Sequence, residues 1–446
     1  MSAHGHPGGG TPVGGEVRVS ADERDHLVMR ALVAAVVAMV VLAGCGSSSG
    51  GSGGSAGATA TTTATAAAND VSSTAAASTP AAAGDTLGVG GVSSVTTITN
   101  VLRSFTPSKR FESSPAAIAA DGSAVVARFR VADPDHPLRL SQTRLYLTDV
   151  RDQDAANTLI PLGGARRKPT QLIGVSMNDN WVVWMETPST SATVQPWTMY
   201  AYNRATRTTT RLTSSRKIKG VPALVAPGYT GPSLHGGMVI WAEVAKGGAA
   251  PRVDIVGCHL ADCRRRTLIR GAAYPAVTSN AIYAVTAPGY RGIAGRKGHR
   301  DFHNVAIEAY KFGTDRVVRV RTPALPGSTT IIGLAAHGGT LAWTINGRRP
   351  QLVIDTGDNK PTTITGDKGG GFSYPVVTAR TVVWAESSGD SPANVGGYLY
   401  RLQEHDVYSL GNKSGLYGVD AAGDYVSWQD AGLNNTTSIN RVGRLR

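Results

Sequence analysis

The sequence predicts an all-β fold, a seven-bladed β-propeller, preceded by an export signal and a disordered linker. Three observations predict it. A Val-Val-Trp-like segment returns along the chain at intervals of roughly 42–60 residues. The stretches around each copy alternate with a period of two, which argues strands and excludes helical solenoids. Tight-turn residues separate those stretches, and four short strands per unit is the pattern of a propeller blade. Six or eight blades are the alternatives.

Composition agrees. The chain has 446 residues, 54 Gly, 3 Cys, 17% charged and 6% aromatic residues. That excludes a long coiled coil and a disulfide-dense miniprotein. A polytopic membrane protein is excluded because only one long apolar run exists.

Residues 1–44 read as a signal peptide. Arg30 precedes the apolar run Ala31 to Leu42, followed by Ala43, Gly44 and Cys45. A basic flank, a short apolar core and small residues are the parts of a secretory signal. The run is too short to span a bilayer comfortably. Leu42-Ala43-Gly44-Cys45 resembles the lipobox of bacterial lipoproteins. The resemblance implies that Cys45 carries a lipid, including palmitate, and becomes the first mature residue. Glu16, Asp22, Glu23 and Asp25 sit poorly in an n-region, and a start at Met29 would give a compact signal.

Residues 45–94 are nearly all Gly, Ser, Ala and Thr, with Asp70 and Asp85 as the charges. No spaced apolar pattern exists to bury, so a disordered linker is expected. Its reach as a coil is ~40 Å, and it is either a bare spacer or, at Thr61-Thr62-Thr63, a site for O-linked sugar.

Residues 95–446 carry the repeat. The recurring strand reads Val182-Val183-Trp184, Val239-Ile240-Trp241, Leu341-Ala342-Trp343, Val382-Val383-Trp384 and Val426-Ser427-Trp428. Ala281-Ile282-Tyr283 fills the slot with Tyr, and Ala124-Val125-Val126 fills it without an aromatic. A short apolar segment precedes each. An alternating strand follows all but the last, as at Arg144–Asp149, Gln351–Asp355 and Tyr398–Leu402. The last unit runs out at Arg446 after three strands, while Val95 to Phe105 has no unit of its own. That segment is expected to supply the last blade's outer strand, closing the ring and covering an open sheet edge.

Ala120-Asp121-Gly122, the Trp slots and Leu145-Tyr146-Leu147-Thr148-Asp149 make the repeat resemble TolB-type propellers and, more loosely, WD40-like ones. Such propellers serve as binding platforms, assembly partners and enzymes alike.

Loop lengths choose a face. The turns inside each first and last hairpin are short, and the extra length falls between second and third strands or between units. Those two loop classes emerge on one side, which is the expected binding face. Two residues past the Trp slot stand Glu186, Glu243, Glu386 and Asp430, a partial acidic ring. Each either closes its hairpin by hydrogen bonding or meets a ligand. The loops add Arg291, Arg296, Lys297 and Arg300. Tyr229 and Tyr290 follow repeated Ala-Pro-Gly turns and either stack on a ligand or plug the space between loops.

No catalytic constellation is evident. His299 and His303 flank Asp301 in a Gly/Arg-rich loop, which falls short of three or four convergent metal ligands. Asp149, Asp152 and Asp154 lack the glycine and distal Glu of an EF-hand. No metal and no cofactor is expected. Cys258 and Cys263 flank a short turn and are expected to form a disulfide outside the cytoplasm.

The formal charge is +13, and removing the acidic leader and linker raises the propeller to about +16. Such a charge favours anionic surfaces. At an extracytoplasmic address these are lipid headgroups and wall polymers, not nucleic acid. The expectation is a lipid-anchored protein on the outer side of the cell membrane, its propeller a binding or assembly platform for an anionic cell-wall polymer or envelope protein. The alternative is a cell-envelope polysaccharide hydrolase or lyase on the same scaffold.

Overall fold

The structure, a computed structural model, describes residues 86–88, 99–106, 108, 111–130, 143–161, 171–188, 196–216, 231–246, 252–286, 306–323, 325, 330–358, 360–368, 370–387, 396–410, 419–431 and 438–446. Among the described residues every regular element is a strand. The predicted signal 1–44 and most of the linker, Cys45 included, lie outside them.

The strands form seven sheets, each pairing its consecutive strands antiparallel. Blade 1 runs Phe111–Ile118, Ser123–Arg130, Arg144–Asp149 and Thr158–Ile160 from the axis outward. Blade 2 runs Gln171–Met177, Trp181–Thr187, Thr198–Asn203 and Thr208–Ser214. Blades 3, 4 and 5 repeat this order over 233–270, 272–321 and 330–365. Blade 6 splits its inner strand into Gly371–Phe372 and Val376–Val377 around Pro375. Proline has no N–H to give the ladder.

Blade 7 closes the ring. Its own strands are Asp420–Ala422, Tyr425–Ala431 and Ser438–Leu445, and its outer strand is Thr99–Phe105 from the start of the domain. The register runs from Thr99 opposite Leu445 to Phe105 opposite Asn440. The inner strand of blade 7 then packs on that of blade 1, so each blade touches two neighbours. Seven blades and the ring-closing strand both match the reading of the repeats.

The core lies between blades, not within one. Trp184 is fully buried and clusters with Val125, Ala127 and Leu145 of the preceding blade. Trp241, Trp384 and Trp428 do the same against blades 2, 5 and 6. Burying each contributes on the order of 3 kcal/mol. Small residues let inner strands approach: a Cβ on Gly174 would lie 2.5 Å from Gly231 Cα.

Two departures stand out. Thr86–Gly88, inside the stretch expected to be linker, forms a short strand parallel to Thr362–Thr365 on the outer edge of blade 5. Edge pairing needs only main-chain donors and acceptors, so the local composition carried no signal of it. The sixth unit's third strand begins earlier than read, at Gly396–Arg401, because Gly396 and Gly397 pair despite lacking side chains.

Candidate functional site: the long-loop face

Strand direction fixes the two faces of the disc. Each second strand runs toward the side where second-to-third loops and interblade connections leave. Tight turns leave on the opposite side, and they are ordered by their own side chains. Asp149, Asn203 and Asp355 each end a third strand and accept the N–H two residues on, at 2.9 Å. Gly122 takes φ +83° in the first turn of blade 1, which a side chain would strain.

Arginines lock the tight-turn face. Arg204 of blade 2 donates to Asp121 and Ser123 of blade 1 at 3.0 and 2.7 Å. Arg266 of blade 3 reaches Tyr310 and Asp315 of blade 4, and Arg380 of blade 6 reaches Asp424 of blade 7. Part of the basic excess is therefore spent tying blades together.

On the opposite face, Glu186, Glu243, Glu386 and Asp430 end second strands, at 3%, 3%, 1% and 7% exposure. They are enclosed, not arrayed on an open rim. The reason is local: residues i and i+2 of a strand share a face, so each acid lies beside its own Trp. Trp184 Nε1 donates to Glu186 at 2.7 Å, Trp241 to Glu243 at 3.2 Å and Trp428 to Asp430 at 3.0 Å. Arg216 and Arg265 add ion pairs to Glu243, and Arg441 pairs with Asp430. Of the two readings offered by the sequence, hydrogen bonding inside the blade junction is the one these contacts embody.

Glu386 breaks the pattern. Its Oε1 accepts the Asp367 N–H at 2.7 Å, brought close by the short connection from blade 5. Trp384 Nε1 is left buried without a partner. Burial pushes the Glu386 carboxyl up to about 7. Burial first, and Glu386 second, push the Tyr398 phenol up to about 12.

Asp420, which sequence reasoning missed, sits where the ring closes. It accepts Ile118 N–H from blade 1 at 3.0 Å and Ala421 N–H at 2.8 Å, and burial pushes it up to about 8. The only sequence signal is an acid on an otherwise apolar inner strand.

A carboxyl whose folded value is raised binds its proton more tightly folded than unfolded. Its contribution is present below about pH 4 and is lost as pH rises toward the folded value. Thermal stability is therefore expected to fall between pH 4.5 and 8, by at most about 1.4 kcal/mol per pH unit per group. Asp420→Asn and Glu386→Gln should each flatten the curve. An unchanged slope in the double variant would count against burial as the cause.

The remaining candidates divide as follows. Cys258 and Cys263 are joined in a disulfide across the turn of blade 3. Asp149 pairs with Arg151 at 2.6 Å, and Asp152 accepts Asp154 N–H at 2.9 Å. Tyr229, Tyr290, Arg291, Arg296, Lys297 and Arg300, with His299 and His303, lie outside the described residues.

No family model matches the chain, and no curated protein matches it. Among solved structures it is similar to an oligogalacturonate lyase from Vibrio parahaemolyticus, at 8% identity and TM-score 0.48, covering 79% of this chain and 95% of that one. It is also similar to Pyrococcus horikoshii acylaminoacyl peptidase, at 9% identity and TM-score 0.47, covering 78% of this chain and 53% of that one. The chain thus spans about half the peptidase's length. The β-propeller domain of the trilobed protease from Pyrococcus furiosus is similar at 8% identity and TM-score 0.36, covering 68% of this chain and 99% of that one. Blade topology itself carries the fold assignment.

Proposed function

We propose that this protein is exported, held to the membrane through Cys45, and uses the long-loop face of its propeller as a platform for an anionic wall polymer. The asymmetry of the disc is what supports the reading. One face is short turns tied by arginine. On the other side lie the ends of the strands that flank residues 131–142, 189–195, 217–230, 287–305 and 411–418. The strand acids Glu186, Glu243, Glu386 and Asp430 are enclosed, while the sequence of 287–305 carries Arg291, Arg296, Lys297 and Arg300 against one acid, Asp301. A segment with such an excess of cations attracts polyanions, with salt-dependent strength.

Two measurements test this. Cells fed labelled fatty acid should label the protein, and Cys45→Ala should abolish the label; an unlabelled wild type overturns the anchor. Purified protein should be retained by walls bearing anionic polymers, elute with rising salt, and lose several-fold retention when the four cations become Gln. Equal retention by stripped walls overturns the platform. Release of soluble sugar would instead favour the hydrolase or lyase reading.

A further inference from the structure

A groove of about 530 Å³ follows the seam between blades 7 and 1. One wall is the ring-closing strand, from Val101 to Thr106. The other is Ser113, Val126, Arg128 and Tyr146 of blade 1, with Gln153 and Asn157 beyond. It is pinned at one end by Asn440, which donates to Ser113 O at 3.0 Å, and toward the turns by Arg103, which donates to Thr148 Oγ1 at 2.7 Å.

The repeat explains why a groove opens here. In blade 2, Trp184 pairs across the sheet with Tyr200 and stacks on it at 5.6 Å, with Glu186 two residues on. Blade 6 repeats this with Trp384, Tyr398 and Glu386, again at 5.6 Å. Blade 1 keeps the tyrosine: Tyr146 is the cross-strand partner of Val126. Val126 occupies the Trp slot, and Arg128 occupies the place of the acid. Blade 1 thus lacks the indole that covers the tyrosine and reverses the neighbouring charge. Tyr200 and Tyr398 are buried under their tryptophans, whereas Tyr146 is only half-buried. Arg128 is exposed, with its guanidinium 4.5 Å over the Phe111 ring and no ion-paired carboxylate among the described residues.

We infer that this groove binds a small aryl carboxylate, whose ring takes the vacant indole position over Tyr146 and whose carboxylate pairs with Arg128. The ligand supplies from outside the ring-and-carboxylate couple that Trp and Glu supply in blades 2 and 6. Arg–carboxylate pairing fixes orientation, and the aromatic stack adds area in a groove of ordinary ligand-site size. The inference is independent of the long-loop platform, which faces other connections.

Indole-3-acetate is the probe, read by saturation-transfer NMR and calorimetry on the whole chain. Saturable binding below about 1 mM is expected, with neutral indole and with acetate each at least tenfold weaker. Glucuronate, an anionic ring without aromatic character, should also be at least tenfold weaker; equal binding overturns the aryl requirement. Arg128→Gln should weaken the probe at least tenfold with an unchanged melting temperature. Val126→Trp should fill the groove from within and abolish binding. Should that variant not fold, Tyr146→Leu serves in its place, with a several-fold loss expected. Undiminished binding in Arg128→Gln, or no binding to wild type at 1 mM, overturns the proposal.

Discussion

Deleting residues 99–106 is expected to abolish cooperative folding of the propeller, whereas deleting residues 1–85 leaves the melting transition intact. The removed strand holds six residue pairs with Ser438–Leu445. It also carries Arg103, whose guanidinium bonds Thr148, Asp149 and Asp152 of blade 1. At about 1 kcal/mol net per hydrogen bond the loss is on the order of 5 kcal/mol or more, comparable with the whole stability of many domains. The exposed edge of Ser438–Leu445 would then template association. Thermal unfolding and size-exclusion chromatography read both consequences. A monomeric, cooperatively melting deletion would show that the ring does not depend on this strand.

Trp184→Phe is expected to cost more than Trp343→Phe, although both tryptophans sit in the same slot. Replacing Trp184 removes the indole donor of Glu186, a carboxylate only 3% exposed, and about 1–3 kcal/mol follows from that loss beyond the volume change. Trp343 has Ile345 two residues on, and its Nε1 has no partner. Phe there sheds a buried, unmatched N–H, which offsets part of the lost packing. Urea denaturation should therefore separate the two variants by at least about 1 kcal/mol. Equal costs would mean that packing alone sets the slot.

The blade count and ring closure were legible because they depend on features that a linear chain displays. The Trp slot recurs, strands alternate, and a strand without a unit must pair with a unit lacking one. What was not legible depends on partners a blade away. The charge of Glu186 is plain in the sequence, but its enclosure beside Trp184 follows from strand geometry and the neighbouring blade. Arg204 looks like one more surface cation until its turn is laid against Asp121, 83 positions earlier. Asp420 meets Ile118 across 302 positions, at a junction that exists only once the ring is closed. Blade 1's Val126 was visible as a slot without an aromatic. Its meaning required the register that sets Tyr146 beside it.

The pairing of Thr99 with Leu445 gives the disc a mechanical polarity. The start of one strand lies beside the end of the other at a single corner, and from there the two extend side by side. A pull applied between those ends loads one hydrogen-bonded pair at a time, so the seam parts like a zipper, not like a lap joint under shear. Arg103, midway along, is the catch at which unzipping would stall. In a chain begun at Thr99, a short bridge at the same corner could splice the termini into a circle, freeing any tight turn to become the new beginning.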